Sequence, residues 1–254
     1  MIVCKSPAEI GKMRAANQLV AQILGDLAAM VAAGVTTADL DAVAEKKVRA
    51  AGAEPAFKGY RGYPATLCAS VNEQVVHGIP SATPLASGDI VSLDMGVKLD
   101  GYYGDSAVTV PVGVVGADVT SLLNVTQEAL ERGIAQVQLG GRVSDIGHAI
   151  QAHVEAHGFS VVREFVGHGI GASLHEEPQI ANSGEPGRGP RLAEGMTLAI
   201  EPMVNMGKPA VKVLSDGWTA VTKDGSLSAH FEHTVAVTKN GPMVLTARPV
   251  VAGR

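Results

Sequence analysis

The chain has little cysteine, few aromatic residues and no excess of positive charge. Among its 254 residues only Cys4 and Cys68 are cysteines, which excludes a disulfide framework and favours a reducing compartment. Twenty lysines and arginines stand against 25 aspartates and glutamates, and no basic run or stripe indicates nucleic-acid binding. The first residues also lack the charged-then-apolar order of a signal peptide.

Long uninterrupted hydrophobic runs are missing as well. The most apolar long stretch, residues 15–33, contains Asn17, Gln18, Gln22 and Asp26, so it indicates an amphipathic helix and not a membrane span. With 46% hydrophobic and 18% charged residues, the chain suits one large globular domain. These features together predict a cytoplasmic protein.

The sequence contains a faint repeat of helix pairs. A capping box at Ser6-Pro-Ala-Glu9 predicts a helix that extends to about residue 31, and a second helix is predicted over 37–52. Helices are predicted again over 118–137 and from after Ser144 to 158, with a glycine at the end of the second helix of each pair.

Four positions in the second helix of each pair recur at a constant offset. The matched residues are Asp39 and Asp145, Leu40 and Ile146, Val48 and Val154, and Gly52 and Gly158. Because β-rich sequence follows each pair, we expect a single domain over 1–254 with related halves, about 1–112 and 113–254. The tail from Arg248 is expected to be frayed.

A β-hairpin signal lies in the first half. Two β-rich arms flank Asp100-Gly101, a dipeptide typical of the two-residue type I′ turn, whose central residues need positive φ. With these two as the turn, the predicted cross-strand pairs are Gly96 with Asp105, and Asp94 with Ala107.

In this register Asp94 and Asp105 are diagonal neighbours on one face of the hairpin. Diagonal positions lie roughly 7–8 Å apart, which lets two carboxylates reach toward metal ions about 3.5–4 Å apart. For the hairpin alone, two solvated aspartates on an exposed strand face are the slightly favoured interpretation.

Two histidines lie in a glycine-rich segment of the second half. Glycines on both sides of His168 remove Cβ atoms, which lets the backbone approach a cation or a bound ligand closely. His175 follows in the sequence His-Glu-Glu-Pro. Two histidines together with remote carboxylates weaken the alternative, in which one imidazole is only a satisfied polar group.

Two glutamates accompany apolar strand patterns farther on. Glu201 ends the strand predicted over 196–200, and Glu232 lies in the alternating segment 230–237. Carboxylates beside such strands are unusual unless they are paired or metal-bound. Four carboxylates and one imidazole need positive charge to share a pocket, and a pair of divalent cations is the simplest source. The five candidate ligands are Asp94, Asp105, His168, Glu201 and Glu232.

The candidate residues and their neighbours follow one another in a characteristic order. The segments are Asn72-Glu-Gln-Val-Val-His77-Gly-Ile-Pro80, Asp94, Asp105, Gly-His168-Gly-Ile-Gly, His175-Glu-Glu-Pro, Ile-Glu201-Pro-Met and Phe-Glu232-His-Thr. In this order and spacing the chain resembles type I methionine aminopeptidases, in their short bacterial form, over nearly its whole length. The resemblance implies the pita-bread fold of α/β (α+β) class, with two pseudo-symmetric helix–helix–sheet halves around a central antiparallel sheet.

The resemblance also implies a reaction. The five candidate ligands would hold two divalent ions, for which this donor set favours Mn²⁺, Fe²⁺ or Co²⁺. A hydroxide bridging the ions would remove the N-terminal methionine when the second residue is small and uncharged. Glu201 would relay protons, His77 would bond the scissile amide, and His175 would stabilise the developing oxyanion.

A methionine pocket is implied by the same resemblance. Its walls would be Tyr60, Tyr63, Cys68, Leu174 and Trp218. The family usually has phenylalanine at the position of Leu174, and Ser183 is likewise not the expected aromatic residue or histidine. These two departures leave the fit to methionine open.

Three functions compete at this point. The first is removal of the initiator methionine from N-terminal methionyl peptides and nascent chains by a monomer in transient contact with the ribosome. The second is a proline-directed peptidase of the same fold, and the third is a non-catalytic binding module. The presence of all five candidate ligands and both histidines disfavours the third.

Overall fold

The computed structural model describes residues 1–247, and the predicted tail from Arg248 lies outside them. Within the described residues there are four α-helices, each within two residues of its predicted bounds. They are α1 (Pro7–Met30), α2 (Thr37–Ala50), α3 (Ala117–Ala135) and α4 (Val143–Ala156). None of the helices in this part of the chain is both long and apolar enough to cross a membrane.

Strands make up most of the remaining regular structure. Fifteen lie among residues 1–247: β1 (Glu54–Pro55), β2 (Leu67–Val71), β3 (Gln74–Val76), β4 (Ile90–Leu99), β5 (Tyr102–Pro111), β6 (Ser160–Val161), β7 (Gly167–Gly169), β8 (Glu176–Ile180), β9 (Thr197–Ile200), β10 (Met203–Asn205), β11 (Val211–Val213), β12 (Ala220–Thr222), β13 (Ser228–His230), β14 (His233–Thr238) and β15 (Gly241–Val244).

The strands pair in antiparallel fashion within two larger and two smaller sheets. In the first half β4 pairs with β1, β2 and β5, and α1 packs against the long β4–β5 hairpin. In the second half the order is β15-β14-β9-β7-β8, with α3 against β9 and α4 against β8. The smaller sheets are β13-β10-β6 and β11-β12-β3. The prediction of two helix–helix–sheet halves is confirmed.

The repeated positions of the two helix pairs have the same structural roles. Asp39 accepts a hydrogen bond from the N–H of Thr36 at 3.2 Å, and Asp145 accepts one from the N–H of Arg142 at 2.8 Å, so both cap a helix N-terminus. Leu40, Ile146, Val48 and Val154 are fully buried, and Gly52 and Gly158 have positive φ after the helix ends. The faint repeat therefore reflects real structural equivalence.

The β4–β5 hairpin has the predicted register. Asp100 and Gly101 have φ of 49° and 83°, as a type I′ turn requires. Gly96 is paired with Asp105 and Asp94 with Ala107. Gly104 lets α1 lie directly on β5, because a Cβ there would be 2.8 Å from the backbone carbon of Ala16.

The two halves meet where β5 approaches the start of β14. The N–H of Glu232 donates to the carbonyl of Ala107 at 3.1 Å, and the hydroxyl of Thr234 donates to the carbonyl of Asp105 at 2.8 Å. The hydroxyl of Ser106 donates to the carbonyl of Glu232 at 2.7 Å. These hydrogen bonds form a seam that brings one candidate ligand from each half together.

Candidate metal centre and substrate cavity

One cavity of about 180 Å³ is lined by all twelve of the predicted site residues. It also contacts Phe57 and Arg61, which the sequence analysis did not identify. The predicted residues are Tyr60, Tyr63, Cys68, His77, Asp94, Asp105, His168, Leu174, His175, Glu201, Trp218 and Glu232.

Acidic side chains and one imidazole lie at one side of this cavity. Asp105, His168 and Glu232 are buried, and each offers one ligand atom so that all three atoms lie within 4.8 Å of one another. The Nε2 of His168 is 3.6 Å from Oε1 of Glu201 and 3.9 Å from Oδ2 of Asp105. Asp94 is partly buried and lines the same cavity.

Several oxygens of this cluster lack the partner that a buried polar atom normally has. Among residues 1–247 nothing donates a hydrogen bond to Oδ1 of Asp94, Oδ1 of Asp105 or Oε1 of Glu232. The interpretation of the hairpin as two solvated aspartates is wrong, because Asp105 is only 4% exposed. Hard oxygen donors with one imidazole suit divalent cations, so the residues present fit a metal site.

Burial raises the pKa values of the carboxyl groups in the cluster. Desolvation raises the pKa of Glu201 to about 8 and, with the neighbouring Glu201 charge, that of Asp94 to about 7. Desolvation, followed by repulsion from neighbouring carboxylates, raises the pKa of Asp105 and of Glu232 well above the ordinary range. Without a cation the cluster therefore retains protons at neutral pH.

His168 is oriented by its own strand. Its Nδ1 lies 2.9 Å from the carbonyl of Gly169, so Nδ1 carries the proton and Nε2 has a free lone pair. Burial lowers the pKa of His168 to about 4, which keeps the imidazole neutral.

The glycines beside His168 have a role different from the predicted one. A Cβ on Gly167 would lie 2.3 Å from the carbonyl oxygen of Ala199, and one on Gly169 would lie 2.2 Å from that of Glu177. These glycines therefore admit the neighbouring strands β9 and β8, and the expected close approach to a ligand is corrected to a close approach between strands.

Two further histidines line the cavity. His77 has φ of 61° and packs edge-on against Phe165 and Trp218, with ring centroids 5.4 and 6.4 Å apart. Burial lowers the pKa of His77 to about 4. The Nδ1 of His175 is 2.9 Å from the hydroxyl of Tyr60, and burial followed by the charge of Arg61 lowers its pKa.

The rest of the cavity lining is apolar and partly aromatic. Tyr63, Cys68 and Leu174 are 2–4% exposed, and the Tyr63 ring meets Trp218 edge-on at 5.1 Å. The Tyr63 hydroxyl is 2.9 Å from the carbonyl of Gly78 and can donate to it, so this wall is held by backbone as well as by packing.

Two cavity residues were missed although their neighbours were identified. Arg61 has φ of 50° in the turn between Tyr60 and Tyr63, and its guanidinium carbon is 5.4 Å from the centre of the Tyr60 ring. Phe57 lies three residues before that turn. The concentration of aromatic residues over 57–63, in a chain with only 4% aromatics, is the signal that could have revealed both.

A third missed residue is His230 at the end of β13. It is 1% exposed, and its Nε2 lies 3.6 Å from Oε2 of Glu201. Its position two residues before Glu232 places it on the same face of an extended segment, which is a usable but weak sequence signal.

Comparison with known proteins gives a consistent result over nearly the whole chain. A model of metallopeptidase family M24 matches residues 11–239. The chain is 52% identical to methionine aminopeptidase 1 of Bacillus subtilis (strain 168), over 97% of this chain and 99% of the relative. It is 51% identical to methionine aminopeptidase of Clostridium perfringens, with the same coverage.

Solved structures extend the comparison to the fold. A methionine aminopeptidase from Thermotoga maritima superposes with a TM-score of 0.96 at 48% identity, covering 98% of this chain and 100% of that one. A prolidase from Pyrococcus horikoshii OT3 superposes with a TM-score of 0.79 at 22% identity, covering 98% of this chain and 65% of that one. The second match shows the fold alone.

Proposed function

The chain belongs to metallopeptidase family M24, and we propose that it is a metal-dependent hydrolase that removes the N-terminal methionine from peptides and nascent chains. The cleaved chains are those whose second residue is small and uncharged. The observation that carries this proposal is a single cavity whose lining combines a carboxylate–imidazole cluster with apolar and aromatic side chains. The methionine aminopeptidases at about 50% identity support the same substrate.

Five residues of the cluster would hold two divalent ions. We assign this role to Asp94, Asp105, His168, Glu201 and Glu232, since they combine oxygen donors, one imidazole and buried oxygens without a partner in the described chain. Mn²⁺, Fe²⁺ and Co²⁺ are the ions that this donor set favours. When bound, such ions supply Lewis acidity and a nucleophile at neutral pH.

Glu201 is the residue that we assign to proton transfer. One carboxylate oxygen lies near His168 in the cluster, and the other lies near His230. The amide N–H of the Asn182 side chain donates to the Glu201 carbonyl at 3.0 Å and restrains the backbone at that position. Glu201 can therefore take up a proton on one side of the cavity while it remains in contact with the cluster.

His77 and His175 would act on the peptide bond itself. If the Tyr60 hydroxyl donates to Nδ1 of His175, then Nε2 carries the ring proton and can donate it to a developing oxyanion. One such donor is worth roughly 2.7–4 kcal/mol in the transition state. His77, neutral because burial lowers its pKa, would donate to the scissile amide and assist the leaving nitrogen.

The methionine side chain would occupy the apolar wall. We assign Tyr60, Tyr63, Cys68, Leu174 and Trp218 to this pocket, whose apolar and aromatic lining suits the unbranched methionine side chain. Leu174, at 2% exposure, has a smaller side chain than the phenylalanine that is usual at this position in the family.

The cellular setting follows from the proposed substrate. Nascent methionyl chains occur in the cytoplasm, so we place the protein there as a monomer in transient contact with the ribosome. We also retain the proposal of one domain over 1–254, with halves of about 1–112 and 113–254. The seam at β5 and β14 supports this division, because the cluster lies between the halves.

Peptide hydrolysis tests the proposal directly. Metal-stripped protein is reloaded with Mn²⁺, Fe²⁺ or Co²⁺ and given Met-Ala-Ser, Met-Lys-Ser and an Xaa-Pro peptide. We expect methionine release from Met-Ala-Ser alone, and only with metal. Cleavage of the Xaa-Pro peptide instead would favour a proline-directed peptidase, and no cleavage with any ion would favour a binding module.

The ligand assignment has its own control. Asp105→Ala removes a buried oxygen donor at the centre of the cluster and should abolish metal loading and turnover together. Full turnover with stoichiometric metal in that variant would show that the ligand set is wrong.

A further inference from the structure

His230 is a buried histidine for which the reaction described above has no use. Its side chain is 1% exposed, and among residues 1–247 neither Nδ1 nor Nε2 has a hydrogen-bond partner. A buried imidazole whose ring nitrogens make no hydrogen bond lowers the stability of the fold, so the presence of His230 here needs an explanation.

The backbone of His230 is fixed from the first half of the chain. Its N–H donates to the hydroxyl oxygen of Thr109 at 2.8 Å, and that hydroxyl donates to the His230 carbonyl at 2.8 Å. The pairing of β13 with β10 sets His230 opposite Met203, two residues after Glu201. The imidazole is therefore held beside Glu201 by the fold.

Two imidazoles bracket the Glu201 carboxylate. Nε2 of His168 lies 3.6 Å from Oε1, and Nε2 of His230 lies 3.6 Å from Oε2. The Nδ1–H of His168 donates to the Gly169 carbonyl, so the Nε2 of the neutral ring has no proton to donate. Neither ring nitrogen of His230 makes a hydrogen bond within the described residues, so its ring N–H is available to donate to Glu201.

His230 can act as a donor to a carboxylate, because an imidazole carries at least one ring N–H in either of its protonation states. The separation of 3.6 Å is too long for a direct hydrogen bond. A small rotation of either side chain would bring the two atoms to hydrogen-bond distance.

We propose that His230 is a positioning residue for Glu201, and that its ring N–H holds Oε2 of the Glu201 carboxylate by a hydrogen bond. The other carboxylate oxygen is thereby kept at the cluster beside His168. The proposal rests on the proposed function, because it assigns His230 a role in the proton transfer by Glu201. Outer hydrogen-bond partners of metal-site residues typically contribute about 10–100-fold to activity or metal affinity.

Substitutions separate this role from simple packing. His230→Leu removes the donor, and His230→Gln keeps an N–H donor in a side chain of similar length. We expect the leucine variant to lose about 10–100-fold in kcat on Met-Ala-Ser with KM changed less than twofold, and the glutamine variant to recover most of that loss. His153→Leu is the matched control, since His153 is also buried but lies on α4, pairs with Glu128 of α3 and does not line the cavity. It should keep the wild-type kcat.

A second readout does not depend on turnover. The visible absorption of the Co²⁺-loaded protein reports the geometry of the ligands, and titration gives the Co²⁺ affinity. His230→Leu should alter the spectrum or weaken the affinity by about 10–100-fold, whereas His230→Gln and His153→Leu should resemble the wild type. If the leucine variant does not fold by circular dichroism, His230→Met replaces it as the flexible apolar variant.

The outcomes distinguish the two proposals. A folded apolar variant with wild-type kcat, spectrum and Co²⁺ affinity would overturn the role of His230. A loss of activity that His230→Gln does not restore, with an unchanged Co²⁺ spectrum, would also overturn it, because packing alone would then explain the loss. If the wild type releases no methionine with any ion, the proposed function fails, while the Co²⁺ measurements still decide the role of His230.

Discussion

Removal of the metal ions should make the stability of the protein fall as the pH rises. In the metal-free protein the buried carboxyl groups have pKa values above those of the unfolded chain, because burial disfavours their charged forms. The folded state then binds more protons than the unfolded state, so the free energy of unfolding decreases with pH. For Glu201 the decrease begins above its ordinary value of 4.5 and ends near its folded value of about 8.

The expected size of this effect can be worked out for one residue. One pKa unit corresponds to about 1.4 kcal/mol, so Glu201 alone should lower the free energy of unfolding by about 3 kcal/mol between pH 5.5 and 8. Asp94, with a pKa of about 7, contributes over the lower part of that range. The carboxyl groups repel one another and lose protons as a group, so we expect a total of about 3–6 kcal/mol. That is a large part of the roughly 5–15 kcal/mol that stabilises a typical domain.

Urea denaturation followed by circular dichroism measures this dependence. The metal-free and Mn²⁺-loaded proteins are compared at pH 5.5, 6.5, 7.5 and 8. The loaded protein should not lose stability over this range, since metal ions bind the deprotonated ligands and bind more tightly as the pH rises. Metal-free Glu201→Gln, which removes one titrating group, should give a shallower slope. A free energy of unfolding that is constant or rises with pH in the metal-free protein would refute the reasoning.

Three further substitutions test other parts of the site. His77→Ala should retain full metal content and lower kcat on Met-Ala-Ser by orders of magnitude; unchanged turnover would remove His77 from the mechanism. Leu174→Ala should raise KM for methionyl peptides and lower stability by about 2–5 kcal/mol, because Leu174 is 2% exposed; a wild-type KM would exclude it as a pocket wall. Lys5→Met leaves the largely buried Glu176 carboxylate without its cation and should cost about 3–5 kcal/mol in thermal or urea unfolding, whereas Lys223→Met at an exposed position should cost under about 0.5 kcal/mol; equal effects would contradict the buried pair.

The elements with local signals could be predicted from the sequence. The start of α1 depends on Ser6, Pro7 and Glu9, which lie within four residues. Ser6 and Glu9 hydrogen-bond to each other, and Pro7 occupies the first helical position. The β4–β5 register depends on Asp100-Gly101, whose positive φ values define the turn. The short strands β3, β6 and β10 have no comparable local signal, because their partners are distant in the chain.

The residues of the candidate site could be predicted from the sequence, but their burial and the packing around them could not. The candidate ligands could be named because the order and spacing of their segments resemble those of methionine aminopeptidases, and the structure places all five around one cavity. The burial of Asp105 could not be read from the hairpin, since it results from α1 packing on Gly104 and from the approach of β14. The role of Gly167 and Gly169 was missed for the same reason. The strands whose backbones lie against these glycines, β9 and β8, reach them only when the chain folds.

The position of the cluster also links metal binding to the assembly of the halves. Asp105 and Glu232 belong to different halves, and their backbones are joined through Thr234, Ala107 and Ser106 at the seam. A cation held by both side chains opposes separation of the seam, while two unprotonated carboxylates without a cation repel each other across it. If Asp105 and Glu232 hold metal ions as proposed, metal binding stabilises the same contact that brings these residues together, and the seam should be the first region to open when the ions are removed. Hydrogen exchange of the Glu232 amide, which donates to the Ala107 carbonyl, should accelerate in the metal-free protein before that of the α1 amides does.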